Sequence, residues 1–111
     1  MNKETFAAFH ANLLTEALHV REKAQKEYAQ GESAFSNFES LAVELEMPRE
    51  KILWIYLKKH LDDILADING HEAQREPIGG RVIDAINYLS LFAGMRQEES
   101  LIRAEPAGLG T

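Results

Sequence analysis

An acid and an amide, Asp84 and Asn87, lie three residues apart in an otherwise nearly apolar segment that runs from Ile78 to Met95. At about 100° per residue of a helix, both side chains fall on one stripe, which Leu91 continues. Leaving a buried polar group without a partner costs about 1–3 kcal/mol, so each side chain needs one. The pair therefore indicates either a ligand site or a buried acid that binds a basic residue or caps a neighbouring backbone.

Two glycines and an arginine, Gly79, Gly80 and Arg81, precede this pair at the predicted start of the same helix. Unpaired N–H groups and the positive end of the helix dipole favour an anion there, and glycines let it approach the backbone. Arg81 is unfavourable in a first turn unless an anion or an acid compensates it. An ordinary glycine-containing turn explains the same residues, because they match neither a Walker-type nor a dinucleotide-binding pattern.

A second polar group, formed by Lys59, His60 and Asp63, lies on the preceding helix. Lys59 and Asp63 have the i, i+4 spacing of an ordinary salt bridge. They also continue the side of the helix that begins with the apolar Tyr56, which favours a site. A Mg²⁺ ion held partly by substrate phosphates needs only one or two carboxylates, which Asp63 and Asp84 supply if the two helices are neighbours.

Tyr88, next to Asn87, is one of four aromatic residues that could stack on a nucleotide base. The others are Phe38, Trp54 and Tyr56. Aromatic side chains at helical spacing belong to a hydrophobic core more often than to a base-binding site. Tyr88 is therefore a candidate ligand contact beside the more common core role.

Four predicted helices carry these groups, and no segment alternates at the period of a strand. The first runs from about Lys3 to Ala29 and has one apolar face, made of Phe6, Phe9, Leu13, Ala17, Val20 and Ala24. The second begins with a Ser36-x-x-Glu39 capping box. Its predicted buried stripe consists of Phe38, Leu41, Ala42 and Leu45.

The third helix is predicted to have Pro48 as its first residue and to stop at Asn69 and Gly70. Its first half, from Ile52 to Leu57, is apolar all the way round and is expected to be buried on every side. An apolar helix of this kind and a long first helix exceed what one small domain covers. We therefore expect a dimer built on helix-to-helix packing.

The length of 111 residues predicts a single all-α, four-helix, bundle-like domain over residues 1–104, with a flexible tail at 105–111. Eighteen acidic and 12 basic residues give a net charge of −6, and no basic stripe suggests a nucleic acid partner. The absence of cysteine excludes thiolate catalysis and Cys-based zinc sites. No signal peptide or membrane-spanning stretch is recognised, so a cytoplasmic protein without a membrane partner is expected.

Three segments between about residues 20 and 95 carry a family resemblance. They are Lys26-Glu-Tyr28 through Phe35-Ser-Asn37-Phe38, then Leu57-Lys-Lys59-His60, then Glu76-Pro-Ile-Gly-Gly-Arg-Val-Ile-Asp84-Ala-Ile-Asn87-Tyr88. Together they resemble the phage and prophage family described as a nucleotide-modification-associated domain. More remotely, the layout is similar to the MazG-like all-α nucleoside-triphosphate pyrophosphohydrolases, which hold Mg²⁺ with Glu-x-x-Glu on one helix and Glu-x-x-Asp on the next.

The resemblance to the pyrophosphohydrolases implies that His60-Leu-Asp-Asp63 takes the place of the first acidic pair and Asp84-Ala-Ile-Asn87 that of the second. Two of the four expected carboxylates are then a histidine and an amide. Histidine suits Mg²⁺ poorly and an amide carries no charge, so metal affinity is expected to be weaker. Glu76 is a candidate replacement ligand.

The expected function is that of a small phage-type helical protein that binds a (deoxy)nucleotide in the cytoplasm of the host cell. Mg²⁺-dependent cleavage of a triphosphate between the α and β phosphates is the enzymatic form of this hypothesis. The residues assigned are Asp63, Asp84 and Lys59 as catalytic, Asp63, Asp84 and Glu76 as metal ligands, and Arg81, Asn87, His60, Gly79, Gly80 and Tyr88 as ligand-binding. Two alternatives remain, a nucleotide-sequestering protein without chemistry and a non-catalytic interaction protein whose polar residues fix helix register.

Overall fold

Four helices make up the part of the chain that the computed structural model describes, which is residues 1–28, 33–71 and 77–103. They are α1 (Lys3–Tyr28), α2 (Ser36–Leu45), α3 (Arg49–Ile68) and α4 (Ile78–Ile102). These three ranges contain no strand, so the predicted all-α, bundle-like fold is confirmed. None of the described helices is long and apolar enough to cross a membrane. The predicted tail at 105–111 lies outside the described residues.

α4 is the central helix, because α1 and α3 both pack against it, while α2 packs on α3. α3 and α4 run antiparallel. Arg49, the first residue of α3, contacts Glu98 near the end of α4, whereas Asp63 in the second half of α3 contacts Arg81 in the first turn of α4. Among the four helices, α1 packs against α4 alone.

The hydrophobic core lies between α2, α3 and α4. Its buried members are Phe35, Phe38, Ala42, Ile52, Leu53, Leu57, Ala85 and Met95. Full burial of one large aliphatic side chain contributes about 1.5–3 kcal/mol. Gly94 allows the closest approach in this core, since a Cβ atom there would lie 3.1 Å from Cζ of Phe35.

A half-buried arginine joins the three core helices at the end of α4. The Arg49 guanidinium, whose side chain is 12% exposed, lies 3.0 Å from Glu39 of α2 and 2.8 Å from Glu98 of α4. It also pairs with Glu50, donates to the carbonyl oxygen of Met95 and covers the ring of Phe35. Burial alone would lower the pKa of Arg49, but its hydrogen bonds and the charges of Glu98 and Glu39 raise it. We call Arg49, Glu39, Glu50 and Glu98 the Arg49 cluster.

The start of α2 differs from the predicted capping box. Ser36 is the first helical residue and Phe35 occupies the N-cap, so Ser36 does not cap the helix. Ser33 instead makes the side-chain hydrogen bonds before this helix. Its hydroxyl donates to Glu39 at 2.7 Å and accepts from the N–H of Phe35 at 3.1 Å. The prediction that Leu45 is buried is also wrong, since this last residue of α2 lies beyond the contact with α3 and is exposed.

The ends of α3 and α4 follow the sequence signals with small shifts. Pro48 lies one position before α3, as its N-cap, rather than inside its first turn. α3 ends before Asn69 and Gly70 as predicted, and Gly70 has the positive φ of 86° that favours glycine. α4 begins at Ile78 but continues beyond Met95 to Ile102.

The prediction that the first half of α3 is buried on every side is wrong. Ile52, Leu53 and Leu57 are buried, whereas Trp54, Ile55 and Tyr56 are exposed. The physical reason is that α3 packs only on α2 and α4, which cover one side of the helix. α3 therefore keeps apolar side chains in contact with solvent.

The predicted apolar face of α1 is covered over only part of its length. Ala17 is buried against the rest of the molecule and Leu13 is half-buried, but Phe6, Phe9 and Val20 are exposed. Residues 1–12 are all exposed. The first half of α1 thus extends beyond the surface that α4 offers.

Candidate functional site

Four of the predicted site residues form one charged group between α3 and α4, which we call the Arg81 cluster: His60, Asp63, Arg81 and Asp84. Nε of Arg81 lies 3.1 Å from Oδ2 of Asp63. Nη1 of Arg81 lies 3.4 Å from Nδ1 of His60, which in turn is 3.7 Å from Oδ2 of Asp84. Asp63 and Asp84 therefore approach the same place from neighbouring helices, with a guanidinium and an imidazole between them.

Helical spacing explains this arrangement. His60 and Asp63 are three residues apart on α3, and Arg81 and Asp84 are three residues apart on α4. Residues at this spacing share a helix face, and the antiparallel packing of α3 and α4 turns the two faces toward each other. Each helix therefore carries an aspartate three residues from a histidine or an arginine, and the packing of α3 on α4 brings the two pairs into one cluster.

The predicted i, i+4 salt bridge between Lys59 and Asp63 is replaced by a contact across helices. Asp63 pairs with Arg81, while Lys59 is exposed and Lys58 pairs with Asp62 at 2.9 Å. Oδ2 of Asp63 is buried and accepts no hydrogen bond from the described part of the chain. Its 3.1 Å contact with Arg81 is thus an ion pair without hydrogen-bond alignment.

An aromatic group borders the Arg81 cluster on the side of α2. His60, the buried polar residue of α3, stacks on Tyr88 with 5.3 Å between ring centroids. Tyr88 also stacks on Tyr56, and Phe38 meets both tyrosine rings edge-on. Burial, together with the charge of Asp84 and the neighbouring Tyr56, raises the pKa of Tyr88 above its ordinary value of 10.0.

A cleft of about 300 Å³ opens beside this aromatic group, between α1, the start of α2 and α4. The described residues that line it are Val20, Arg21, Ala24, Gln25, Ala34, Asn37, Phe38, Asp84, Asn87, Tyr88 and Leu91. Asp84 belongs to both the cleft and the Arg81 cluster, and its side chain is 36% exposed. The stripe predicted from Asp84, Asn87 and Leu91 is thus the α4 wall of a cavity.

Asn87 has a structural partner in addition to its place in the cleft. Its Nδ2 donates to the main-chain carbonyl oxygen of Ala17 at 3.0 Å. Ala17 is buried in the middle of α1, where its carbonyl already takes part in the helix. The amide of Asn87 therefore fastens α1 to α4 beside the cleft.

Sequence analysis missed three polar residues of the cleft, Arg21, Gln25 and Asn37. Nη1 of Arg21 donates to Oε1 of Gln25 at 2.8 Å, so the two form one unit on α1. The sequence carries a signal for Arg21 and Gln25. Ala17, Arg21 and Gln25 follow one another at four-residue spacing, which places both polar side chains in line with a buried alanine.

Three of the predicted site residues belong neither to the lining of the cleft nor to the Arg81 cluster. Gly79 and Gly80 are in the first turn of α4, directly after Pro77, and a Cβ atom at either would meet nothing within 4 Å. Packing therefore does not require glycine at these positions. Lys59 is exposed on α3 and is not a lining residue of the cleft.

The donor atoms of the described residues do not fit a Mg²⁺ site on their own. Asp63 is paired with Arg81 and Asp84 faces His60, while Asn87 donates its Nδ2 to Ala17 and has one oxygen, Oδ1, that could bind a metal. In ranges 1–28, 33–71 and 77–103, no group of three or more His, Asp or Glu side chains could hold a metal ion. Glu76, the third predicted ligand, lies outside those ranges.

Comparisons with known proteins supply no family assignment for this site. No protein-family model, no curated protein and no solved structure matches the chain. The resemblance to the nucleotide-modification-associated and MazG-like families therefore stays a prediction.

Proposed function

We propose that this protein binds a nucleotide in the cleft between α1, α2 and α4. One observation carries the proposal: three segments far apart in sequence contribute side chains to one place. These are the three segments that carry the family resemblance. The first, which ends at Phe38, gives Asn37 and Phe38, and the third, residues 76–88, gives Asp84 and Tyr88; all four residues line the cleft. His60, from the second segment, stacks on Tyr88.

The chemistry of the cleft suits a base and an anionic group. Its volume of about 300 Å³ is at the small end of ligand pockets, which favours a single nucleoside over a dinucleotide. Phe38 and Tyr88 offer apolar ring surface, and stacking of a base on an aromatic side chain contributes about 1–3 kcal/mol. Gln25 and Asn37 carry amide donors and acceptors, and Arg21 is the cation that suits a phosphate.

Cleavage of a triphosphate between the α and β phosphates is the enzymatic extension of this proposal. Since the described residues form no metal cage, Mg²⁺ would enter with the phosphates, and Asp84 is the carboxylate available at the cleft. Product analysis separates an enzyme from a sequestering protein.

A non-catalytic interaction protein is the second candidate function, and one observation favours it. Asn87 and Arg81 both have partners on other helices, Ala17 and Asp63, as expected if these polar groups serve to fix helix register. In that case the contacts within the Arg81 cluster serve folding alone. The two candidates make opposite predictions for Asp84.

The deciding experiment is thermal unfolding of the wild type and of Asp84→Asn with and without nucleoside mono-, di- and triphosphates and Mg²⁺. A ligand present at about 100 times its Kd stabilises the folded state by about 2.7 kcal/mol. We expect such a shift for the wild type and its loss in Asp84→Asn. The unliganded melting temperature should change little, because Asp84 is 36% exposed and its nearest basic atom is 3.7 Å away.

Two further variants control this experiment. Asp67→Asn changes an exposed acid of α3 and should leave the nucleotide shift intact. Ala24→Phe fills the cleft from α1 and should abolish the shift without touching Asp84. A wild type that no nucleotide stabilises, combined with a lower unliganded melting temperature for Asp84→Asn, would reject nucleotide binding in favour of the interaction protein.

Assays for monophosphate and pyrophosphate with the stabilising triphosphate and Mg²⁺ or Mn²⁺ test the enzymatic extension. Formation of both products, and its loss in Asp84→Asn, would support a pyrophosphohydrolase. Stabilisation without products would identify the protein as a nucleotide-sequestering protein.

A further inference from the structure

α3 carries a second apolar stripe on the side next to its core contacts. Its members are Trp54, 53% exposed, Leu61, 38%, Leu65, 55%, and Ile68, 72%. They follow one another at spacings of seven, four and three residues. With Lys58 they form the 3.5-residue seam of a helix that packs on another helix, and we call these five residues the outer stripe of α3.

The exposure of the outer stripe is unusual because its members are in line. A single exposed apolar residue is normal on a protein surface, but aligned large side chains make a continuous apolar patch. The core of this domain uses the adjoining side of α3, about 90° away around the helix, represented by Leu53, Leu57 and His60. Packing within the described part of the chain therefore does not account for the outer stripe.

We infer that the outer stripe of α3 is the contact surface for a second copy of this chain, with the two α3 helices antiparallel. The spacing is self-complementary. Trp54 and Ile68 are each seven residues from Leu61. A two-fold axis beside Leu61 therefore sets Trp54 of one copy against Ile68 of the other and brings the two Leu61 side chains together.

Charge favours the antiparallel orientation over the parallel one. Lys58 of the outer stripe and Asp62 beside it lie 2.9 Å apart and are both more than half exposed. Around an axis beside Leu61, Lys58 of one copy comes within reach of Asp62 of the other. Parallel helices in register would instead oppose Lys58 to Lys58, which is unfavourable.

A single helix-to-helix contact buries less than the about 800 Å² per partner of a standard interface. The expected dimer is therefore of roughly micromolar affinity and is best measured over a range of protein concentrations. No residue of α3 is among the described residues that line the cleft, so pairing through the outer stripe does not depend on what the cleft binds.

Cross-linking tests the two-fold axis directly, because the chain contains no cysteine and a single introduced thiol is unique. Leu61→Cys, treated with oxidised glutathione, should form a disulfide-linked dimer on a non-reducing gel. Phe9→Cys is the matched control, since Phe9 is also exposed but lies on α1. No disulfide-linked dimer of Leu61→Cys, or cross-linking of Phe9→Cys at a rate equal to that of Leu61→Cys, would overturn the proposal.

Sedimentation velocity of the wild type, Leu61→Glu and Phe9→Glu gives an independent measure. Leu61→Glu sets two carboxylates together at the axis and should weaken association at least tenfold, whereas Phe9→Glu should leave it unchanged. Circular dichroism checks that each variant keeps its helices. A wild type that is monomeric at sub-millimolar concentration, or a Leu61→Glu variant that still dimerises fully, would refute the surface.

A charge exchange tests the orientation. Lys58→Glu alone and Asp62→Lys alone should each weaken the dimer, and the double variant should restore it, because the pairs across the axis are complementary again. If the double variant is no better than the single ones, the antiparallel register about Leu61 is wrong.

Discussion

The contact between α3 and α4 has a charged cluster toward each end, and the two clusters differ in how their carboxylates are paired. In the Arg49 cluster, one half-buried guanidinium meets three carboxylates and a main-chain carbonyl. In the Arg81 cluster, a buried oxygen of Asp63 accepts no hydrogen bond from the described residues, and Asp84 is 3.7 Å from its nearest basic atom.

The contacts of the Arg49 cluster bear on stability, because removing one member leaves the others without their partner. Asp84, by contrast, belongs to the Arg81 cluster and also lines an open cleft. Titratable groups that border a cavity indicate where to look for a ligand.

The largest effect is expected from Arg49→Met, which removes the guanidinium but keeps an apolar side chain. It leaves three carboxylates close together without their cation, so the free energy of unfolding should fall by about 2–3 kcal/mol. Arg103→Met, which breaks an exposed pair with Glu99, is the control and should cost at most about 0.5 kcal/mol. Urea unfolding measures both, and equal effects would show that the Arg49 cluster contributes no more to stability than an exposed pair.

A smaller loss is expected from Asn87→Asp, the change that the pyrophosphohydrolase pattern would call for. A carboxylate cannot donate to the carbonyl oxygen of Ala17, so stability should fall by about 1–3 kcal/mol without any gain in metal-dependent activity. Asn37→Asp, an exposed amide of the same cleft, is the matched control for charge. Higher turnover with unchanged stability would show that position 87 belongs to a metal site.

The smallest effect concerns Tyr88 at alkaline pH. Burial and the charge of Asp84 raise the pKa of Tyr88 above 10.0, so the folded state keeps its proton where the unfolded state loses it. The unfolded state then binds fewer protons, and stability falls as pH rises above about 10. Tyr88→Phe should reduce this loss in melts compared at neutral and alkaline pH. An identical alkaline slope in both proteins would contradict it.

Sequence patterns predicted the positions of the helices well, but they predicted poorly which helix faces are covered by neighbouring helices. Apolar spacing, Pro48 and Asn69-Gly70 located the elements, because helix periodicity and turn residues are local properties. Burial of Trp54 was predicted wrongly, because it depends on which helices pack beside α3. Arg49 was not recognised for the same reason, since nothing local links it to Glu98, 49 residues away.

In the candidate site, too, features that depend on spacing along one helix were predicted, and features that depend on packing between helices were not. The stripe of Asp84 and Asn87 was visible from spacing on one helix, and the structure makes it the wall of a cleft. The opposite wall, with Arg21 and Gln25, depends on where α1 docks. The partner of Asn87 is a main-chain carbonyl, which no side-chain pattern can reveal.

The attachment of α1 to α4 alone has a consequence for how a ligand would be held. Opening of α1 is a local unfolding event that removes one wall of the cleft while the core of α2, α3 and α4 stays intact. Only the closed fraction of molecules is competent to bind, so the apparent Kd is the intrinsic Kd divided by that fraction. A ligand would in turn slow amide hydrogen exchange around Ala17, and the stability of one helix contact would set the affinity of the whole molecule.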